Sequence, residues 1–275
     1  MTQSLIYLFG IIRSCDHVDG FLDPVKLGAA EFGSLRYLSE GGICALISTL
    51  QFSQGSSFSQ LLEEPAQAEA LVLHHHRVLE AAAASTAVLP LRFGSVFTSE
   101  GPLRSILTEQ QGRFLKTIRD FETSSEWGVK IYCERDLVNE DVRQHSIEIK
   151  NFQNTLRNAS DGKKFFLQRK LEKMTSEAGE NAIANFLRDT IICLKRVSKA
   201  HRPSKIQSNT LTSSGSELIL NDAFLVERSR EEEFHAAIAG LKKAYAAKGV
   251  TFKTTGPWPA YSFVPGKLTG DEHAV

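Results

Sequence analysis

The chain has 275 residues, 42% hydrophobic and 23% charged, which suits one large folded domain or two ordinary ones and excludes disorder of the whole. Its 32 Lys and Arg balance 32 Asp and Glu, so the basic surplus that supplies most nucleic-acid affinity is missing, as is the strong acidity of an extreme halophile's proteins. Cys15, Cys44, Cys133 and Cys193 lie far apart, form no C-x-x-C and read as reduced thiols of a cytosol with no zinc-site spacing.

The opening MTQSLIYLFGIIRSCD holds an apolar run with no basic region before it and no small-residue cleavage site after it. It is expected to be a first strand, Leu5–Ile12, rather than a signal peptide. No apolar run approaches the ~20 residues that cross a bilayer. Gly20–Leu27 reads as a loop. Leu35–Leu38 and Ile43–Leu50 read as a hairpin around Ser-Glu-Gly-Gly. Pro65–Ser85 is an expected helix, with Pro65 in its first turn and Ala68, Leu71, Val72, Val78, Leu79 and Ala82 at a period of 3.6. Val88–Phe97 reads as a strand interrupted by Pro90 and Gly94, at an edge or bulge. Leu103–Phe121 reads as one helix.

A short polar stretch, Glu122–Glu126, marks the expected domain boundary. Trp127–Cys133 then reads as a strand, Asp141–Arg157 as a charged helix, and Lys163–Ala200 as one long helix of about 55 Å that Gly179 could bend. Arg202–Ser216 is rich in Ser, Thr and Asn and reads as a flexible loop. Leu218–Leu220 and Ala223–Glu227 read as strands about an Asn221-Asp222 turn. Ser229 and Glu232 form a candidate capping box for the last helix, which Gly249 stops before a strand Val250–Lys253. The alternation of TGPWPAYSF (Thr255–Phe263) suggests a stiff, extended clamp. This order is neither strictly alternating nor segregated, so the fold class is α+β, with helices on one face of small antiparallel sheets. The second unit approximates the β-α-β-β-α-β plan of ferredoxin-like folds. The domains are expected at 1–122 and 123–265, the latter closed by GPWPAYSF, with a tail at 266–275.

Chemistry is sparse. Consecutive helical residues point about 100° apart, so His74, His75 and His76 cannot share one ion. His75 falls on the apolar stripe with Leu71 and Leu79 and reads as a hydrogen-bonded core or interface histidine; His74 and His76 read as solvated. No phosphate loop, dinucleotide fingerprint, nucleophile elbow or zinc-protease motif is present. The run of Lys163, Lys164, Arg169, Lys170, Glu172 and Lys173 reads as a solvated mixed-charge face. Phe165 and Phe166 beside it could stack a base, but an RNA-binding sheet pattern is absent. A chain of this length without a catalytic constellation points to work by contact.

Three blocks stand in order: HHHRVLEAAAASTAVLPLRFGSVF (His74–Phe97), EWGVKIY (Glu126–Tyr132) and TGPWPAYSF. With the opening YLFGII they resemble the gas vesicle protein F/L family, whose pattern is a histidine and short helix leading into PLRFGTVF, then EW-x-VK, then GPWPPYSF. The resemblance covers nearly the whole chain. It falls on His75, Pro90, Leu91, Arg92, Phe93, Gly94, Val96 and Phe97, on Trp127, Val129 and Lys130, and on Gly256, Pro257, Trp258, Pro259, Tyr261, Ser262 and Phe263. Ser95 replaces the usual threonine and Ala260 the second proline. The resemblance implies two α+β domains, the second a modified ferredoxin-like fold with long helices on an antiparallel sheet. It also implies a non-enzymatic accessory or minor structural protein of gas vesicles, the gas-filled protein shells that give aquatic microbes buoyancy. Such a protein would contact the small hydrophobic shell subunit and other accessory proteins, assist early assembly, and reside in the cytoplasm with the vesicle. It would use no cofactor or metal and bind neither nucleic acid nor lipid membrane. The motif residues are then structural or partner-binding candidates. A rival reading is an enzyme or small-ligand sensor on a ferredoxin-like plan, with His75, Arg92 and Cys133 as its polar groups. A third is a permanent shell component that does not affect subunit solubility.

Overall fold

The computed structural model describes residues 3–13, 32–52, 57–206 and 215–264. The loop read at Gly20–Leu27, the tail and most of the segment read as flexible before Ser216 lie outside them. The chain divides into two compact units, Met1–Glu126 with Pro257–Val275, and Trp127–Gly256. The second therefore interrupts the first, and the GPWPAYSF segment groups with the first unit, where the sequence had suggested a closure of the second.

The first unit is built around β1 (Gln3–Arg13). β2 (Arg36–Glu40) and β3 (Ile43–Phe52) form the expected hairpin, turning through Gly41 and Gly42 at φ 53° and 82°. VLPLRFGSVF is two short strands, β4 (Val88–Pro90) and β5 (Val96–Phe97), both antiparallel to β1. The sheet order is β2-β3-β1-β4, so Pro90 stands on a terminal strand where its missing N–H interrupts no ladder. α1 (Phe58–Glu63) escaped the reading although Ser57 and Gln60 form a reciprocal capping box in front of it. α2 (Pro65–Ser85) has the expected bounds, and its buried residues are Leu71, His75, Val78, Leu79 and Ala82; Val72 is exposed. The helix read at Leu103–Phe121 is two, α3 (Glu100–Glu109) and α4 (Gln111–Glu122), divided where Gln110 leaves helical geometry at φ −104° and ψ 9°.

Helices cover both faces of this sheet, not one. Tyr7, Leu8, Phe9, Ile11 and Ile12 are all buried, although adjacent strand residues point to opposite sides. Tyr7, Phe9 and Ile12 join Leu46, Leu50 and the α2 residues Leu71, Val78 and Leu79 in one cluster. A bulge between Leu8 and Gly10 resets the alternation so that Ile12 returns to that side. Leu103, Leu107, Phe114 and Ile118 of α3 and α4 are buried as well. Cys44 is disulfide-bonded, which corrects the reading of four reduced thiols; Cys133 and Cys193 are free.

β6 (Ser124–Cys133) begins inside the polar stretch read as the domain boundary and carries the chain into the second unit at Trp127, with Ser124, Ser125 and Glu126 all buried. The helix read at Asp141–Arg157 is the pair α5 (Arg135–His145) and α6 (Ile147–Arg157), separated at Ser146, whose hydroxyl accepts from the Ile149 N–H. α7 (Asp161–Arg196) is the long helix, 36 residues without interruption; Asn139 of α5 lies directly against Gly179. β7 (Ala200–Pro203) and β8 (Glu217–Glu227) follow, and β8 runs straight through Asn221-Asp222. No turn forms there because buried Asp222 is held across the ladder by His201 Nε2 at 2.7 Å and the Ser204 N–H at 3.4 Å. The capping box at Ser229 does not form either. A 3-10 turn occupies Arg228–Arg230 and α8 starts at Glu231 (Glu231–Tyr245), with Arg230 Nε on Glu233 at 2.9 Å. β9 (Val250–Trp258) closes the sheet order β7-β8-β6-β9 and is longer than expected. The core gathers Val129, Ile131, Phe186, Leu194, Phe224, Phe234, Ile238 and Phe252.

Gly10 sets how closely α2 approaches the first sheet. A Cβ there would stand 2.8 Å from Leu79 Cδ2 and 3.0 Å from both the Leu89 carbonyl oxygen and Val88 Cγ2. Gly10→Ala is predicted to destabilise by about 1–3 kcal/mol through overpacking, read as a lower midpoint in urea denaturation; an unchanged midpoint would show that the sheet yields freely.

Candidate functional site

The motif residues of the first unit converge on two polar arrangements, the first of which is a hydrogen-bonded chain in the core. Tyr7 of β1 is fully buried, and its Oη lies 2.9 Å from His75 Nδ1 on α2. The Gly94 N–H donates to the same oxygen at 3.1 Å. His75 also bonds the Leu91 backbone, in the sense that favours a protonated ring nitrogen. With the proton on Nε2, on the side away from Tyr7, Nδ1 accepts from the Tyr7 hydroxyl. The chain therefore runs Gly94 N–H to Tyr7 to His75 to Leu91, and it begins and ends in the Leu91–Gly94 loop.

Aromatic rings enclose it. Phe9 stacks on His75 at 5.8 Å, Phe93 meets it edge-on at 5.8 Å, and Phe32 packs edge-on to Tyr7 at 4.9 Å. Burial lowers the His75 pKa to about 4, the Leu91 bond opposing it, and burial holds the Tyr7 phenol well above its usual range. Both groups are neutral near pH 7, and His75 is 4% exposed. This geometry positions a loop and offers no base to a substrate.

The loop itself is tightly bound. The Leu91 N–H donates to Phe9 O and the Leu8 N–H to Ser95 O, each at 2.9 Å. Gly94 takes φ 87°, a conformation that side-chain-bearing residues rarely adopt. Ser95 Oγ donates to the Arg92 carbonyl at 2.8 Å, a bond a threonine hydroxyl could also make. Arg92 is exposed, while Phe93 packs on the core and Phe97 is buried.

The second arrangement is a clasp made by the late motif. After Trp258 the chain leaves the strand and forms a 3-10 turn at Tyr261–Phe263, so the extended clamp ends there. Tyr261 Oη lies 3.0 Å from His76 Nδ1, and His76 Nε2 lies 3.1 Å from Glu80 Oε1. Trp258 sits 5.5 Å from the His76 ring and Phe263 is buried. Glu126 accepts two bonds from Ser262, from its N–H at 2.8 Å and its hydroxyl at 2.7 Å. Burial raises the Glu126 pKa, and the two Ser262 bonds oppose that. Burial also raises Tyr261, with the charges of Glu80 and Glu126 adding to it.

His74 and His76 are thus not simply solvated: His74 stacks on Phe32 at 4.5 Å and His76 joins the clasp. The three histidines face three sets of partners, and among the described residues no group of three His, Cys, Asp or Glu is placed to hold a metal ion. In the second unit Trp127 Nε1 donates to Glu231 at 3.2 Å and packs edge-on to His235 at 4.4 Å; Lys130 is half-buried on β6. Gly256 takes φ 126° in β9, ahead of Pro257, Trp258 and Pro259. Cys133 is buried, and burial pushes its thiol up to about 11, which disfavours the nucleophilic thiolate. Tyr7, Glu80 and Glu126 were not singled out as site residues, although Glu126 opens the EW-x-VK block and Tyr7 stands in YLFGII.

A family model described as gas vesicle synthesis protein GvpL/GvpF matches residues 5–265. The chain belongs to the gas vesicle GvpL/GvpF family. Gas vesicle protein F of Streptomyces sp. is 26% identical over 263 residues, covering 94% of this chain and 98% of that protein. Gas vesicle protein L of the same strain is 28% identical over 193 residues, 69% of this chain and 66% of that protein, so the chain spans about two thirds of that relative's length. The crystal structure of GvpF from Anabaena sp. superposes with a TM-score of 0.65 at 15% identity, over 96% of this chain and 97% of that one. GvpF from Microcystis aeruginosa gives 0.61 at 16% identity, over 95% and 99%. The mixed helix-and-sheet fold with antiparallel sheets is thus shared with these family structures. No helix among the described residues is long and apolar enough to cross a membrane.

Tyr7→Phe is predicted to cost about 1–3 kcal/mol, because the Gly94 N–H and His75 Nδ1 lose their partner in a buried site; denaturant midpoints near wild type would contradict this. A histidine whose folded pKa is depressed binds its proton first in the unfolded state. His75 therefore removes stability as pH falls from about 6.5 towards 4, at up to about 1.4 kcal/mol per pH unit. The stability–pH slope across that window should flatten in His75→Gln. Parallel slopes would show that the imidazole is not held neutral.

Proposed function

We propose that this protein is a non-enzymatic accessory or minor structural component of gas vesicles. It binds the major hydrophobic shell subunit, limits that subunit's aggregation and assists nucleation and assembly of the shell, working with other gas vesicle accessory proteins in the cytoplasm. A partner that binds the dispersed subunit draws it away from aggregates by mass action. The second unit is read as a modified ferredoxin-like domain; its strand order β7-β8-β6-β9 and the placement of α7 and α8 between strands support this.

One observation carries the functional reading. The residues that define the family in the first unit are engaged in internal architecture, as a neutral buried chain and a clasp, and not presented to a substrate. What the clasp leaves outward is apolar: Trp258 is 36% exposed beside His76, and Leu73, one turn earlier on α2, is 44% exposed. An apolar surface held on a fixed frame suits a hydrophobic partner.

The test is co-expression with the shell subunit, followed by pull-down and sedimentation. Co-purification and a larger soluble fraction of the subunit are expected. Trp258→Ala with Leu73→Ser should reduce both while leaving the far-UV circular dichroism of the protein close to wild type. A chain that neither co-purifies with the subunit nor alters its solubility contradicts the proposal. Tight retention in purified vesicles without any effect on solubility would select the purely structural role.

A further inference from the structure

The α6–α7 hairpin carries a surface that neither the core nor the clasp uses. Among the described residues, the three most exposed large apolar side chains are Ile147 at 77%, Phe166 at 73% and Phe165 at 62%, all in this hairpin. Phe165 and Phe166 stand on the first turns of α7 on the side away from half-buried Leu167, Leu171 and Met174. Their rings meet edge-on at 5.8 Å, and the Arg169 guanidinium lies 5.1 Å from the Phe165 ring centre. Lys170 lies over Phe152 of α6 at 5.4 Å.

Charge singles out the same region. Residues 147–177 hold seven Lys or Arg against four Asp or Glu, in a chain whose net charge is zero. The cations are engaged locally instead of forming a track: Lys164 pairs with Asp161 at 2.8 Å and Lys173 with Glu177 at 3.7 Å, while Arg169 rests on Phe165 and Lys170 on Phe152. An apolar anchor with a basic rim is the anatomy of a protein-binding patch. A nucleic-acid groove would need an unpaired basic surplus along a backbone path.

We propose that the tip of the α6–α7 hairpin docks an acidic amphipathic helix of a protein partner, with Phe165 and Phe166 covered by its apolar face and Lys163 and Arg169 facing its carboxylates. The surface lies in the second unit and is independent of the shell-subunit reading.

Binding is measured by fluorescence anisotropy on the full chain. The probe is a synthetic amphipathic helix of about 18 residues with Leu on one face and Glu on its flanks. The same helix with Lys for Glu, a single-stranded oligonucleotide and phosphatidylglycerol vesicles are compared with it. The Glu helix should bind and weaken as salt rises. The Phe165→Ser/Phe166→Ser variant should lose at least about 10-fold in affinity, and Lys163→Glu/Arg169→Glu should weaken the Glu helix while favouring the Lys helix. These positions are exposed, so circular dichroism of the variants should match wild type. No binding of the Glu helix up to about 1 mM, equal binding by the double-Phe variant, or preference for oligonucleotide or vesicle overturns the proposal. So does self-association in sedimentation that the double-Phe variant abolishes. A negative result here beside a positive shell-subunit pull-down would refute the hairpin surface alone.

Discussion

The hydrogen bond between Tyr7 and His75 joins parts of the first unit that sequence separates widely. Tyr7 is on β1, His75 on α2 packed against it, and Gly94 and Leu91 in the loop that links the two short strands. Each buried polar atom in this chain needs its neighbour, since an unpartnered donor or acceptor in such a site costs about 1–3 kcal/mol. Rings of Phe9, Phe32 and Phe93 exclude water and keep the imidazole uncharged. The same dryness that makes the chain strong makes it unsuited to proton transfer with a bound molecule. A histidine in a conspicuous motif is here a joint.

The adjacent histidine does different work because the helix turns about 100° per residue. His76 points away from the core and receives Tyr261, while Glu126 receives Ser262. A segment near the end of the chain is thereby tied to α2 and to the start of β6. This explains why so many aromatic and proline residues stand where a polar tail would be ordinary. Tyr261 and Phe263 complete the first unit, and Trp258 remains partly exposed.

Much of this was legible in the residues. The glycine pair made the β2–β3 hairpin visible, Pro65 and the apolar period gave α2 its bounds, and a long unbroken period marked α7. His75 was readable as a core residue because it shares the stripe of Leu71 and Leu79. Failures came where a tertiary contact overrode a local signal. Asn221-Asp222 reads as a turn, but His201 and the Ser204 N–H satisfy Asp222 across the ladder and β8 stays extended. ETSSE reads as a polar domain boundary, and the units do divide at its end, but Glu126 is buried against Ser262, a residue 136 positions away. The partners of His76 and the role of Tyr7 lie equally far off in sequence, where periodicity carries no information. The short helix α1 carries its signal locally, in the Ser57–Gln60 capping box.

The central claim is that His75 is a neutral, sealed structural joint. The ionisation and tautomer of His75 in the intact protein, followed by nuclear magnetic resonance of its labelled imidazole from pH 8 to pH 4, test this most directly. The account predicts the Nε2–H tautomer throughout neutral pH and a midpoint near 4. A midpoint at or above the ordinary value of about 6.5, or the opposite tautomer, would contradict it.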